Sequence, residues 1–385
     1  MKISNILAGK EWKELKKIEN LSTDEKSIVF YAENKASMNH FKLLILELTE
    51  KMNFQICYVT SVKEDKMLEN KNEKIKSFYI GDGVARTKFF LTLNAKILIM
   101  DMPDLQKFHI KRSKTFPVHY IYIFHSIFSV HSYLREGAID NYDTIFCVGQ
   151  HHINEIIETE KVYGLKQKKL VNYGYGRLDT LLSEKQQFQK KESTLKTILI
   201  VPSYGKDNLL ITCGIKLITI LLESKYKIIL RPHFKTLKES TKLLNEIEKK
   251  FKNNSNFILE KGVIPTDSFH NSICMISDWS GISFEYAFTF EREVIFIDVP
   301  KKEINQKSDK ISLEPIEIPL RYKIGRVVPT SNLEHILEIL KNIEHTEKDI
   351  TERIQNIRSK TIFNIGNSAC VGAKYIQQLI DKINK

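Results

Sequence analysis

Residues 272–300 read SICMISDWSGISFEYAFTFEREVIFIDVP. The apolar run Ile273 to Ile276 ends in Ser277, Asp278, Trp279, Ser280 and Gly281; a helix is expected from Ile282 or Ser283, and a second apolar run covers Val294 to Val299. This is the order strand, small polar loop, helix, strand. A helix start carries backbone N–H groups without intrahelical partners and the positive end of the helix dipole, which suits phosphate oxygens. The same residue types also serve as ordinary helix caps, so Asp278, Ser280 and Ser283 have two readings at this point.

The wider chain gives that loop a context. Its 385 residues suffice for two ordinary domains, and 42% hydrophobic with 28% charged residues is a globular composition, which excludes a disordered chain. No apolar run is long enough to span a bilayer, and MKISNILAGKEWKELKK lacks the apolar core and cleavage site of a signal peptide. The expected location is the cytoplasm, with a peripheral place on the inner face of the plasma membrane as an extension. The cysteines, at 57, 147, 213, 274 and 370, are scattered without a CxxC pair, which argues against a disulfide framework or a zinc site. A net charge of +12 favours anionic partners: nucleotides, phosphate polymers or an acidic membrane face. Nucleic acid is not expected, because no recognition motif accompanies the charge.

From Lys26 onward, short apolar runs alternate with helical patterns. KSIVFYAE (26–33), FQICYVTS (54–61), KSFYIG (76–81), KILIMDM (96–102), PVHYIYIFH (117–125) and DTIFCVG (143–149) read as strands of parallel βαβ units. The pattern restarts with KTILIVPSYG (196–205), KIILRPH (227–233) and NFILEKG (256–262). The expected fold is α/β, two Rossmann-like domains facing across a cleft. The boundaries are an amphipathic segment at 1–25, a first domain at 26–182 for the acceptor, a linker at 183–195, a nucleotide-donor domain at 196–350, and C-terminal helices at 351–385 that cross back to the first domain. Within 3–21, Ile3, Ile6, Leu7, Trp12, Leu15 and Ile18 could line one helix face, packed on the domain or laid on a membrane.

Four further loops follow strands. FHSIFSVHS (124–132) brings His125, Ser126 and His131; YGYGRLD (173–179) brings Arg177 and Asp179; VPSYGKDN (201–208) brings Ser203, Gly205 and Lys206; RPHFK (231–235) brings Arg231 and His233. An arginine beside a histidine can hold phosphate by charge-assisted bonds, and a second histidine can act as base on an attacking hydroxyl. Each loop alone is also compatible with a structural role. Asp101 and Asp104 in MDMPD could bind a cation, but Pro103 favours a turn, and no DxD metal motif is present. His151 and His152, being adjacent, receive no role.

In this order the loops resemble those of the CDP-glycerol glycerophosphotransferases, the teichoic-acid primases and polymerases of GT-B architecture. That family carries G-x-P-R-x-D, a Pro-Thr/Ser strand end, R-P-H-P and S-D-Y-S-S-x-x-F-D-Y. The matches here are Gly174 to Asp179, Pro202 with Ser203, Arg231 to His233, and Ser277 to Tyr286. The family's W-H-G motif is met by Phe124, His125 and Ser126, and further departures are Gly176, Phe234, Gly281 and Glu285. The likeness runs over roughly residues 26 to 345 and is most specific at Ser277 to Tyr286.

The resemblance implies a CDP-activated donor, CDP-glycerol or a similar polyol, and a glycan or lipid-linked acceptor in cell-surface polymer synthesis. It implies His125 and His233 as catalytic residues. Arg177, Ser203, Gly205, Arg231, His233, Asp278, Ser280, Gly281 and Ser283 are the expected donor-binding group, with Asp278 orienting the loop rather than touching phosphate. No metal or cofactor is expected. The alternatives are a nucleotide-sugar glycosyltransferase of the same architecture and a non-catalytic nucleotide- or polymer-binding subunit.

Overall fold

The computed structural model describes residues 9–188, 196–261, 266–301, 304–343 and 345–385. It divides into two compact units: residues 1–180, 305–313 and 362–385 form the first, and 181–304 with 314–361 form the second.

The first unit is built on a seven-stranded sheet of β1 (Ile28–Ala32), β2 (Ile56–Thr60), β3 (Ile75–Tyr79), β4 (Ile97–Met100), β5 (His119–Ile123), β6 (Thr144–Cys147) and β7 (Lys169–Asn172). Its strands are ordered β3-β2-β1-β4-β5-β6-β7 and every pairing is parallel. β1, β2, β4 and β6 are buried along their whole length, as expected of strands covered on both faces by helices. The last helix, Ser368–Ile383, returns to this unit and places Ala373, Ile376 and Ile380 in the same core as Phe30, Phe41, Phe146 and Tyr173. It can approach closely because residue 372 is glycine; a Cβ there would meet the Tyr173 ring at 2.6 Å. Phe146 stacks on Tyr173 with ring centroids 4.7 Å apart, and the hydroxyls of Thr144 and Tyr375 lie 2.8 Å apart.

The second unit is built on a six-stranded sheet of β8 (Thr197–Val201), β9 (Lys227–Leu230), β10 (Phe257–Leu259), β11 (Ser272–Ser277), β12 (Val294–Asp298) and β13 (Gly325–Pro329), ordered β10-β9-β8-β11-β12-β13 and again wholly parallel. The decisive stretch folds as read: β11, a loop, the helix Ile282–Phe290, then β12. In each sheet the chain leaves the first strand in one direction and returns on its other side. Each therefore has a switch point, between β1 and β4 and between β8 and β11, where α/β sheets hold ligands at strand C-termini.

Near the N-terminus the observed helix is Lys10–Glu19, and residues 1–8, with Ile3, Ile6 and Leu7, lie outside the described residues. Leu15 and Ile18 are buried, and the helix packs on β3 and on the helix Val84–Thr92. Its apolar stripe is thus occupied by the unit itself. The stretch 183–195 is helical as far as Gln187, and 189–195 lie outside the described residues. The helix Glu347–Thr361 belongs to the second unit and Ser368–Ile383 to the first. Among the described residues, no helix is long and apolar enough to cross a membrane.

Candidate active site

In the first unit, β5 delivers Phe124 and His125 to its C-terminal end. The His125 ring is partly exposed, and its Nδ1 lies 3.1 Å from the carbonyl oxygen of Asp101, the residue that follows β4. A carbonyl oxygen only accepts, so Nδ1 carries the proton and Nε2 carries the lone pair. This is the tautomer of a general base. Burial holds the imidazole below the ordinary histidine pKa, the Asp101 hydrogen bond opposing it, so the ring is neutral at physiological pH. The Tyr175 hydroxyl donates to the carbonyl oxygen of His125 at 3.1 Å.

Two further groups surround this histidine: His40, which the sequence did not single out, and Asp101, which it offered only as a possible cation ligand. His40 is buried, its ring 6.4 Å from that of His125 and 5.9 Å from that of Tyr175. Its pKa lies well below the usual value because of burial, then the charges of His125 and Arg177. Asp101 is buried, its carboxylate accepts from Ser37 Oγ at 2.9 Å, and burial raises its pKa to about 7. Asp104 sits in the turn at φ +69°, 3.8 Å from Arg135. Among the described residues no group of three or more His, Cys, Asp or Glu side chains is arranged to hold a metal ion.

The loop after His125 is held from the helix Gln150–Tyr163. His151 Nε2 lies 2.9 Å from the carbonyl oxygen of Ile127, His152 Nε2 lies 2.9 Å from that of Phe128, and Glu155 accepts the N–H of Val130. Adjacent histidines at a helix start thus serve adjacent carbonyls, a role that periodicity does not reveal. His131 turns inward to Glu155 at 3.2 Å, both side chains buried.

The GYGRLD segment is largely a fastening. Gly174 has φ +107°, and a Cβ there would lie 2.4 Å from the carbonyl oxygen of Phe363. Asp179 accepts from the N–H of Gly366 at 2.7 Å, from the N–H of Ser368 at 3.1 Å, and from the Ser368 hydroxyl. Arg177 belongs to this unit, beside His40, and not to the unit that carries the other expected donor-binding residues.

In the second unit, Ser203, Gly205, Arg231, His233, Asp278, Ser280, Gly281 and Ser283 gather at the C-terminal ends of β8, β9 and β11, three neighbouring strands. Asp278 is fully buried; Oδ1 accepts the N–H of Ser203 at 2.7 Å and Oδ2 the N–H of Leu209 at 2.8 Å. Burial raises its pKa while those hydrogen bonds pull it down. With both oxygens engaged, Asp278 braces the loop across the switch point. Gly205 takes φ +113°, and Asn208 caps the next helix, accepting from the N–H groups of Leu210 and Ile211 at 2.9 and 3.1 Å.

The helix Ile282–Phe290 has no side-chain cap. The buried Ser283 hydroxyl donates instead to the carbonyl oxygen of Ser280 at 2.7 Å, the same oxygen that accepts the Ser283 N–H. The capping reading therefore fails for Asp278 and Ser283. His233 Nδ1 accepts the N–H of Lys235 at 3.2 Å, which puts the ring proton of the neutral form on Nε2. The ring stacks on Tyr204 with centroids 4.6 Å apart. Arg231 lies 3.9 Å from Glu260 and over the Phe269 ring at 4.9 Å.

Residues 15–369 match the family described as CDP-glycerol:poly(glycerophosphate) glycerophosphotransferase. The chain belongs to that family. It is accordingly a transferase of teichoic-acid-like polymer synthesis that uses a CDP-activated donor and a polymer acceptor. No curated protein matches it.

Among solved structures, a variant of the wall teichoic acid polymerase TagF aligns at 14% identity and a TM-score of 0.60, over 99% of this chain and 96% of that one. S. aureus MnaA with UDP aligns at 13% and 0.60, over 94% and 98%, and a putative UDP-N-acetylglucosamine 2-epimerase from Listeria monocytogenes at 12% and 0.59, over 93% and 97%. At such identities the likeness is one of fold, and it shows the GT-B architecture that family members share with nucleotide-sugar enzymes.

Proposed function

We propose that this enzyme transfers a glycerophosphate-type group from CDP-glycerol, or a similar CDP-polyol, to a hydroxyl of a glycan or lipid-linked acceptor. The observation that carries the residue roles is the pair of opposite histidine tautomers: His125 presents a lone pair at Nε2, and His233 a proton at Nε2. In this reading His125 Nε2 takes the acceptor's hydroxyl proton as its oxygen attacks the phosphorus bearing the polyol. A P–O bond to the acceptor forms, the P–O–P bond breaks, and CMP departs with the electron pair. His233 donates to the phosphate oxygens, with Arg231, the Ser280 hydroxyl and the N–H groups at the start of the uncapped helix Ile282–Phe290. Asp278, Ser203 and Gly205 shape the loop, and Arg177 would serve on the His125 side.

The net charge of +12 supports a peripheral position on the anionic inner face of the plasma membrane, and flotation with anionic against neutral vesicles checks it.

The function is tested with purified protein, CDP-glycerol, an acceptor fraction and chromatographic separation of nucleotides. CMP release that falls by about 100- to 10,000-fold in His125→Ala is expected, with a comparable loss in His233→Ala. CDP or UDP released from nucleotide sugars would instead make it a glycosyltransferase, and nucleotide binding without turnover would make it a binding subunit.

A further inference from the structure

Arg321, on the helix Glu317–Ile324 of the second unit, is only 3% exposed, yet its charge is poorly met. Nη2 lies 3.6 Å from Asp298, whose own side chain is 54% exposed, and 3.5 Å from the carbonyl oxygen of Ile297; Nε is buried without a hydrogen-bond partner. A buried guanidinium left in that state is costly, and it calls for a reason. Its face is taken up by an aromatic ring: the guanidinium carbon lies 3.8 Å from the centroid of the Trp279 ring. A desolvated cation–π contact of this kind is among the stronger ones.

Trp279 is the residue between buried Asp278 and Ser280. Its indole edge is also fixed, with Nε1 donating to the carbonyl oxygen of Val299 at 2.9 Å. Edge and face are thus both held, and the next carbonyl in the chain, that of Ser280, accepts both the N–H and the hydroxyl of Ser283. We propose that Arg321 is a positioning residue for the donor: stacked on Trp279, it locks the Ser280–Ser283 turn in the conformation that presents the positive end of the helix to the donor pyrophosphate. The inference rests on the donor-loop assignment above. It gives the loop's aromatic position a function, and it makes a residue some forty positions downstream part of the donor-binding apparatus.

The chain has two tryptophans, so Trp12→Phe leaves Trp279 as the sole indole reporter. In that background, acrylamide quenching without ligand and the kinetic constants for CDP-glycerol are measured for Arg321→Met and Arg321→Lys. Quenching is expected to rise in Arg321→Met, with the donor KM up by about tenfold and kcat within about twofold. Arg321→Lys, which keeps the cation but not the planar stack, falls between. Should Arg321→Met fail to fold, Trp279→Phe and Trp279→Ala supply the contrast: the first near wild type, the second like the loss of Arg321.

An unchanged donor KM in Arg321→Met, or unchanged quenching, overturns the inference alone. A wild-type protein that turns over no nucleotide donor overturns the donor-loop reading and this inference with it.

Discussion

Asp101 and Asp278 hold equivalent stations in the two sheets. Each follows the fourth strand of its unit, and each reaches across the switch point to the segment after the first strand: Asp101 to the hydroxyl of Ser37, Asp278 to the N–H of Ser203. Their bonding differs in a way that matters. Asp101 accepts from a hydroxyl, which can reverse its role, whereas Asp278 accepts from two backbone N–H groups, which cannot.

Asn at the two positions should therefore behave differently. Asp278→Asn turns an amide N–H₂ toward a backbone N–H, with an expected loss of about 1–3 kcal/mol of stability and weakened CDP binding. Asp101→Asn should fold and keep the Ser37 contact. Denaturant midpoints and calorimetric CDP titration separate the two.

The pH dependence of Asp101→Asn has a defined sign. A folded pKa of about 7 lies above the ordinary carboxylate value, so between the two the folded state binds more protons than the unfolded. The wild type loses that contribution as pH rises through this window, and the variant does not. Relative to wild type, Asp101→Asn should gain stability from pH 4 to pH 8, read as the difference in denaturant midpoint.

For His125 the sign is opposite. Its folded pKa is depressed, so its contribution is complete above the ordinary histidine value and is lost as pH falls through the folded pKa. The base follows the same protonation. The acid limb of the kcat profile is expected below the ordinary histidine range, and a limb above pH 7 would contradict the assignment.

Tyr175→Phe removes the donor to the His125 carbonyl oxygen while keeping the ring beside His40. A fall of about 3- to 10-fold in kcat is expected, with about 1 kcal/mol lost in stability and little change in the donor KM. Steady-state kinetics with both substrates varied will show whether the effect stays in kcat.

Glycine replacements at 174 and 164 form a matched pair. Gly174→Ala sets a Cβ at 2.4 Å from the Phe363 carbonyl oxygen, whereas Gly164, at φ +61°, has no heavy atom within 4 Å of its Cβ position. Gly164→Ala should cost about 1 kcal/mol, and Gly174→Ala several times that or the folded protein altogether. Thermal unfolding of the two variants is the comparison to make.

The sequence exposed the strands that are buried throughout, such as IVFYA and TILIV, because burial on both faces removes polar alternation. β7 and β13, KLVN and GRVVP, are half-exposed edge strands with two or three apolar residues each, too short to stand out. The loops at strand ends were legible because their residue types are unusual for such places. What each side chain does was not: Asp179 proves to be a fastening for the C-terminal segment, His151 and His152 hold backbone carbonyls, and Arg321 reaches Trp279 from a helix whose sequence shows no motif. Such pairings join segments far apart in the chain, and one sequence carries no record of which segments meet.

The return of Ser368–Ile383 to the first unit bears on how the protein is made. The first sheet is synthesised by residue 172, but Phe146 and Tyr173 must wait for Ala373, Ile376 and Ile380 to cover them. A nascent chain thus carries an incomplete first core until Ser368–Ile383 has been synthesised, some two hundred residues later, and aggregation risk during translation concentrates in that interval. A gene cut at residue 180 would encode a fragment lacking its closing helix; joining the last segment back to the first by circular permutation would be the way to obtain that unit alone.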